Sequence, residues 1–273
     1  MNSFSKLAYG WSDESVGVRA VAQLLLAMLL AGCVGSKEAG PDALKPEAQL
    51  TVRSSAAPAS TATHSVSSPP AASIADPIVA MPPIEGAGWQ NLFDGQSLAG
   101  WKPVDFAGHG EVKVEGGKLI MEMGAMLTGV NGPTNLARWD YEIVMDASKL
   151  QGADFFCALT IPVGDACCSL IIGGWGGGVV GISSIDGNDA SSNETTTFKG
   201  FEQLRWYRVR VKVTHAKIQA WIGAEKVVDV KLEGKRIGMR PGEIEMNQPF
   251  GIATYQTTGA IRSVQWRALE PEK

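Results

Sequence analysis

The sequence has little of what nucleic-acid-binding, membrane-spanning or zinc proteins need. Charged residues make up 19% of the 273 residues, and the formal net charge is −4. Because no basic run is present, we expect no nucleic-acid partner. No apolar stretch reaches the roughly 20 residues that a membrane-spanning helix requires. The chain has only three histidines, so it offers no zinc constellation.

The longest apolar stretch lies near the N-terminus and is followed by small residues and a cysteine. Ala20–Leu30 has the length of the apolar region of a signal peptide. The sequence Leu30-Ala31-Gly32-Cys33 resembles the lipobox at which bacterial lipoproteins are cleaved. We predict that residues 1–32 are an export signal and that Cys33 is the lipidated first residue of the mature protein. An ordinary signal peptide with a chance cysteine is the alternative.

A segment rich in alanine, serine, threonine and proline separates this signal from the rest of the chain. Residues 33–83 contain too few large apolar side chains to offset their chain entropy. We predict that they form a disordered tether, about 40 Å or more in reach, between the lipid and a domain at residues 84–273. The prediction places that domain in the bacterial cell envelope, on the periplasmic side or at the outer membrane, with the lipid on Cys33 as its contact with the membrane.

Residues 84–273 show short strand signals joined by glycine-rich turns. Arg205–Val213 alternates valine with basic residues, and Trp139–Asp146 alternates apolar with polar residues, which indicates half-buried strands. Gly116-Gly117 and Gly223-Ala224 are hairpin turns between such segments. We predict an all-β fold of at least ten strands in two antiparallel sheets, a jelly-roll sandwich. The predicted core residues are Tyr141, Ile143, Val209, Val211, Val213 and Trp221.

A third hairpin concerns the cysteines of the domain. If Pro162–Asp165 is a four-residue turn, Cys168 lies opposite Leu159 and Cys157 lies opposite Leu170. That register does not favour a disulfide from Cys157 to Cys167 or Cys168, and adjacent cysteines on a strand point to opposite faces. With three cysteines in the domain, at least one thiol must stay free.

Several motifs in order resemble one known family. They are LFDGQSLAGW at 92–101, VEGGKL at 114–119, YEI at 141–143, GADFF at 152–156, WYRV at 206–209 and IQAWIG at 218–223. On these motifs, which span residues 89–269, the domain resembles the 3-keto-disaccharide hydrolase domain family, also called DUF1080. The resemblance implies a concanavalin-A-like jelly roll whose concave face meets sugars, and hydrolysis of 3-keto-glycosides. Many members of that family are bacterial envelope lipoproteins.

One strand departs from the family pattern. Where members often carry Y-E-V-Q-I-L-D, this chain has Cys168–Trp175, with Ser169, Ile171 and Gly173 at the polar positions. Two hypotheses of different class therefore stay open: a hydrolase or lyase acting on 3-keto-disaccharides, and a glycan-binding module without turnover. A structural envelope protein without a groove is a third.

Candidate site residues follow from side-chain chemistry at strand ends and turns. As acid or base we select His109, Asp154 and Asp186, because one base can start elimination from a 3-keto sugar by taking its acidic C2 proton. For the substrate we select Trp175 as a stacking platform, with Arg205 and Asp189 as polar ligands. For each of the six, the competing interpretation is an ordinary turn, loop or surface residue.

Metal and paired-carboxylate chemistry are weaker alternatives. The turn Asp186–Asp189 offers oxygen ligands that could hold Ca²⁺ or another divalent ion, but it lacks EF-hand spacing, and we expect no cofactor. Asp140 and Glu142 have the spacing of two carboxyl groups on one strand face. A solvated face, paired with Arg208, Arg210 and Lys212 of a neighbouring strand, is the interpretation we prefer for them.

Overall fold

A computed structural model describes residues 83–270 of the chain. The strands in this part of the chain, named below, pair with one another in antiparallel fashion throughout. The predicted signal, Cys33, the tether up to residue 82 and residues 271–273 lie outside it. The strands are β1 Gln90–Asn91, β2 Lys102–Pro103, β3 Val112–Glu115, β4 Lys118–Met121, β5 Leu127–Asn131, β6 Tyr141–Gly152, β7 Cys157–Val163, β8 Ala166–Gly173, β9 Val179–Ser183, β10 Thr197–Phe198, β11 Trp206–Val213, β12 Lys217–Ile222, β13 Glu225–Lys231, β14 Gly251–Tyr255 and β15 Thr257–Ala268. Short helical segments occur at Gly174–Gly177 and, as a 3-10 turn, at Glu243–Asn247.

The strands form two sheets, which confirms the predicted all-β jelly-roll sandwich. The first sheet has the order β13-β12-β11-β6-β15-β4-β3, with β1 added at β15, and the second has the order β10-β9-β8-β7-β14-β5-β2. Neither helical segment of residues 83–270 is long or apolar enough to cross a membrane.

The main core lies between the sheets and follows the period-2 pattern of the strands. Val209, Val211 and Val213 of β11 and Tyr141 and Ile143 of β6 are all fully buried there, as predicted. Each such aliphatic side chain contributes about 1.5–3 kcal/mol by its removal from water.

Trp221 was predicted in this core, and that prediction is wrong. Strict alternation along β12 places Ile218, Ala220 and Ile222 inward, so Trp221 faces outward. There the guanidinium of Arg210 lies over its indole ring, with Cζ 3.8 Å from the ring centroid.

The outer face of β6 also differs from the prediction of a solvated surface. Glu142 is 4% exposed and Asp146 is 3% exposed, because arginine side chains from β11 and β15 cover them. Asp140 does not share this face: it precedes the strand in a left-handed conformation (φ 52°) and contacts His215 Nδ1 at 3.1 Å. The Asp140–Glu142 pair is therefore a structural feature and not a pair of facing acids.

The β7–β8 hairpin is tighter than the predicted four-residue turn. Pro162 and Val163 belong to β7, and the turn consists of Gly164 and Asp165, with Gly164 at φ 58°. Consequently Cys168 pairs with Ile161 and Cys157 with Ile172, two residues away from the predicted register.

All three cysteines of the domain are free and buried. Burial raises the pKa of the Cys157 and Cys168 thiols well above the usual range. Burial also raises the pKa of Cys167, although the nearby Arg138 guanidinium opposes that shift. Since the thiolate is the reactive form, these side chains act as apolar core residues.

Candidate functional site

Ser169 and Ile171, which depart from the family pattern in β8, have their side chains on the outer face of the second sheet. Along β8, Leu170 and Ile172 point into the main core, whereas Ile171 joins a second apolar cluster on the outer side. That cluster combines apolar side chains of β5, β7, β8, β9 and β14 with two side chains from the loop after β2, Val104 and Phe106.

Two buried hydroxyl groups on this face form a hydrogen bond with each other. The hydroxyls of Thr160 and Ser169, which are opposite each other on β7 and β8, lie 2.8 Å apart, and both residues are buried. The Ser169 hydroxyl also faces the Met239 sulfur at 3.9 Å. Among the described residues, no carboxylate takes part in this hydrogen-bonded group.

The candidate site lies at the end of β8, where a tight turn exposes the indole of Trp175 to solvent. Gly173, Trp175, Gly176 and Gly177 all have positive φ, and Trp175 itself lies at φ 49°, ψ 55°. A bulky residue rarely adopts this conformation, and such strain is concentrated at functional sites. Trp175 is 42% exposed, which is a large area for an indole.

Asp154, a predicted catalytic residue, fastens this turn. Its Oδ2 accepts a hydrogen bond from the Gly176 backbone N–H at 3.0 Å, and its Oδ1 accepts one from the Phe155 N–H at 2.8 Å. Both carboxylate oxygens are thus engaged with the backbone. Asp154 therefore holds the turn that carries Trp175, and its role as acid or base stays a prediction.

Two further side chains complete a group that we call the Trp175 site: Trp175, Arg240 and Asp189. The guanidinium carbon of Arg240 lies 5.7 Å from the Trp175 ring centroid, within cation–π range. Arg240 Nη1 is 3.4 Å from Asp189 Oδ2. The other oxygen, Asp189 Oδ1, accepts hydrogen bonds from the Ser191 N–H and hydroxyl, which hold the carboxylate in place.

The remaining predicted residues are engaged in other contacts. Asp186 accepts a hydrogen bond from the Arg236 N–H at 2.8 Å and lies 3.7 Å from Lys235 Nζ. Arg205 pairs with Glu202 at 2.7 Å, which is the surface ion pair weighed against its role as a ligand. His109 lies in the loop before β3, with Nδ1 2.8 Å from the Gly110 carbonyl and Nε2 3.6 Å from Asp105. No hydrogen bond or ion pair within residues 83–270 links any of these three to the Trp175 site.

In the turn Asp186–Asp189, which was considered as a calcium site, both carboxylates lie next to basic side chains. Asp186 faces Lys235 and Asp189 faces Arg240. Within the described residues, no group of three or more His, Cys, Asp or Glu side chains is placed to share a metal ion.

Arg240 is the member of the site that sequence reasoning missed. It lies between β13 and the 3-10 turn, in a segment with no strand period and no recognisable motif. Its role depends on the segment 236–238 running beside Ser184–Asp186, with Ser184 N–H donating to Gly238 O at 2.7 Å and Asp186 N–H donating to Arg236 O at 2.8 Å. Only the folded chain shows that pairing.

A family model for the 3-keto-α-glucoside-1,2-lyase-like domain matches residues 88–270. The chain belongs to this family. The match covers nearly all of the described structure, and it confirms the resemblance inferred from the ordered motifs. A search of curated proteins gave no significant match.

Among solved structures, the chain is similar to several carbohydrate-related proteins at low identity. A putative glycosyl hydrolase from Parabacteroides distasonis is 14% identical, with a TM-score of 0.43, over 67% of this chain and 94% of that one. The carbohydrate-binding module CBM66 from Bacillus subtilis is 9% identical, with a TM-score of 0.41, over 62% and 96%. The Crh5 transglycosylase in complex with NAG is 12% identical, with a TM-score of 0.46, over 70% and 88%.

Proposed function

We propose that this protein is a bacterial envelope lipoprotein whose domain binds glycosides at the Trp175 site. The observation that carries the proposal is an exposed indole held in a left-handed conformation beside an arginine–carboxylate pair. A pyranose ring can stack on the indole face while the guanidinium donates to its hydroxyl or carbonyl oxygens. Asp189 Oδ2 accepts from a sugar hydroxyl in the same arrangement. Stacking and directional hydrogen bonds together are what sugar recognition requires.

The test is titration calorimetry of the full chain with trehalose and with 3-keto-trehalose. We expect the Trp175→Ala variant to lose at least tenfold in affinity, about 1.4 kcal/mol, because the stacking surface is removed. Phe198→Ala is the matched control, since it removes an even more exposed ring, 77% accessible, from the edge strand β10. Equal affinities of wild type and Trp175→Ala would contradict the proposal.

A second function is favoured by membership of the lyase-like family: elimination on 3-keto-glycosides at the same site. The 3-keto group makes the C2 proton acidic. A base takes that proton, the C1–O glycosidic bond breaks and the departing oxygen is protonated; water then adds to the double bond. Asp189 Oδ2 lies 3.4 Å from Arg240, whose guanidinium lies over Trp175, so Asp189 is the base that we propose and Arg240 the group that binds the ketone oxygen.

We expect Asp189→Asn to slow release of free sugar from 3-keto-trehalose by about 10²-fold or more if the protein is a lyase. The assay uses the full chain with either CaCl₂ or EDTA, so that dependence on a divalent ion is read at the same time. His109→Ala and Asp186→Asn are measured in parallel. Loss of turnover in one of these and not in Asp189→Asn would move the base to that residue. Binding without turnover in wild type would leave the glycan-binding module as the function.

Lipidation is the part of the proposal that rests on the sequence at Leu30–Cys33, outside the described residues. We expect the expressed protein to partition into the detergent phase of Triton X-114, because acyl chains on Cys33 are its proposed anchor. Cys33→Ser is expected to shift the protein to the aqueous phase. Mass spectrometry of the mature N-terminus checks the same point directly, and an unmodified Cys33 would contradict it.

A further inference from the structure

Cations and acids alternate across the outer face of the first sheet, and one arginine is left out of the pattern. In the pairing of β11 with β6, Arg208 is opposite Asp146 and Lys212 is opposite Glu142. Between them, Arg210 is opposite Val144 on one side and Trp221 of β12 on the other. The strand register therefore gives Arg210 only apolar neighbours.

The contacts agree with the register. Arg208 Nε donates to Asp146 at 2.7 Å, and Arg267 Nε donates to Glu142 at 2.8 Å. Arg210 has no ion pair with any residue in 83–270, and its Nε is buried without a hydrogen-bond partner. A buried unsatisfied donor of this kind costs stability, so the fold pays for placing Arg210 here without supplying its counterion.

Arg210 is held rigidly in spite of this. Its guanidinium stacks on Trp221 with Cζ 3.8 Å from the ring centroid. Stacking fixes the plane of the guanidinium and leaves its edge free to donate two parallel hydrogen bonds. That geometry matches a planar carboxylate, which an arginine binds through both oxygens.

A cleft of about 490 Å³ opens above Arg210. We call it the Arg210 cleft, and its main lining residues are Trp89, Trp221, Arg208, Arg210, Arg267 and Glu142. Residues 83–86 also line the cleft, among them Glu85. Of the three arginines in the cleft, Arg208 holds Asp146 and Arg267 holds Glu142. Arg210 is therefore the arginine of the cleft that has no carboxylate partner among residues 83–270.

We propose that the Arg210 cleft is a second binding site, which takes the carboxylate of an acidic saccharide such as a hexuronate. The volume suits one or two sugar units, and two indoles line it with apolar surface on which a pyranose can pack. The carboxylate would supply the counterion that Arg210 lacks in residues 83–270, through the part of the guanidinium that lines the cleft, whereas a neutral sugar would not. The site lies on the first sheet, so it is independent of the glycoside site proposed at Trp175 on the second.

The test is titration of the full chain with tetragalacturonate and with its methyl ester. We expect the ester to bind at least tenfold more weakly, because esterification removes the charge and one hydrogen-bond acceptor. Affinity for the acid is expected to fall as NaCl rises from 20 to 300 mM. Equal binding of acid and ester, or no binding of the acid, would overturn the proposal.

Three variants locate the site. Arg210→Met keeps an unbranched chain over Trp221 and is expected to lose at least tenfold in affinity for the acid, with a thermal midpoint no lower than wild type. Glu85→Gln is expected to bind more tightly, because it removes a competing negative charge from the cleft. Trp175→Ala is expected to bind tetragalacturonate as wild type does. Unchanged binding in Arg210→Met, or loss in Trp175→Ala, would overturn the assignment to this cleft.

Discussion

Replacing Asp146 by Asn is expected to lower the free energy of unfolding by about 3 kcal/mol. Asp146 is 3% exposed at the middle of β6 and accepts hydrogen bonds from Arg208 at 2.7 and 3.1 Å. Arg262, from β15, also lies 3.4 Å from its Oδ2. The amide keeps the shape but removes the charge, so two neighbouring guanidinium groups lose the Asp146 carboxylate as a counterion. Urea unfolding with an unchanged m-value measures the loss.

The matched control for this experiment is Glu115→Gln. Glu115 pairs with Lys113 at 3.5 Å, but its side chain is 68% exposed at the end of β3. Exposed pairs contribute at most about 1 kcal/mol, so the control should unfold close to wild type. Similar losses in the two variants would show that the charges on the outer face of the first sheet are effectively solvated, which would contradict the burial described above.

Asp146 shows that the sequence pattern predicts a strand but not whether its outer face is covered. Alternation along β6 correctly identifies the strand and its inward residues, because period 2 reflects backbone geometry alone. The same alternation cannot separate a solvated polar face from a covered one. Arg262 and Arg267, which cover it, arrive on β15 more than a hundred residues later in the chain.

In the β7–β8 hairpin, turn-forming residues likewise fail to predict the position of the turn. Pro162 suggests a turn residue, yet it lies inside β7, and its carbonyl accepts a hydrogen bond from Tyr141 Oη at 2.6 Å. The tertiary contact overrides the local preference and moves the register by two residues. By contrast, the turns at Gly116-Gly117 and Gly223-Ala224 are as predicted, since nothing competes with their glycine signals.

The Trp175 site also contains residues that the sequence predicts and one that it does not. A tryptophan between glycines is visible in the sequence as a candidate platform, and Asp189 as a nearby carboxylate. Arg240 comes from a segment that joins the site through pairing with residues 184–186, and no pattern in the chain marks it. Asp189 stands out among the predicted acids only through Arg240, which it contacts and which lies over the Trp175 ring.

Replacing Phe156 by Ala is expected to lower both the free energy of unfolding and the affinity for glycosides, since Phe156 joins the core to the site. Phe156 is fully buried, its ring packs edge-on against Phe201 at 5.1 Å, and it also contacts Tyr207. Deletion of such a ring costs about 3–5 kcal/mol. Its ring also supports Gly173, where an added Cβ would lie 3.2 Å from the Phe156 ring, at the start of the turn that carries Trp175.

We therefore expect Phe156→Ala to weaken glycoside binding as well as stability, under conditions in which the variant is still folded. Phe201→Ala is the control, because Phe201 packs on the same ring and on Tyr207 but is only partly buried. It should lose less stability and retain the affinity of wild type for trehalose. Chemical denaturation gives the first quantity and titration calorimetry at low temperature gives the second. If Phe156→Ala bound as tightly as Phe201→Ala, the turn would owe its conformation to Asp154 and its glycines alone, and the coupling between core and site would be refuted.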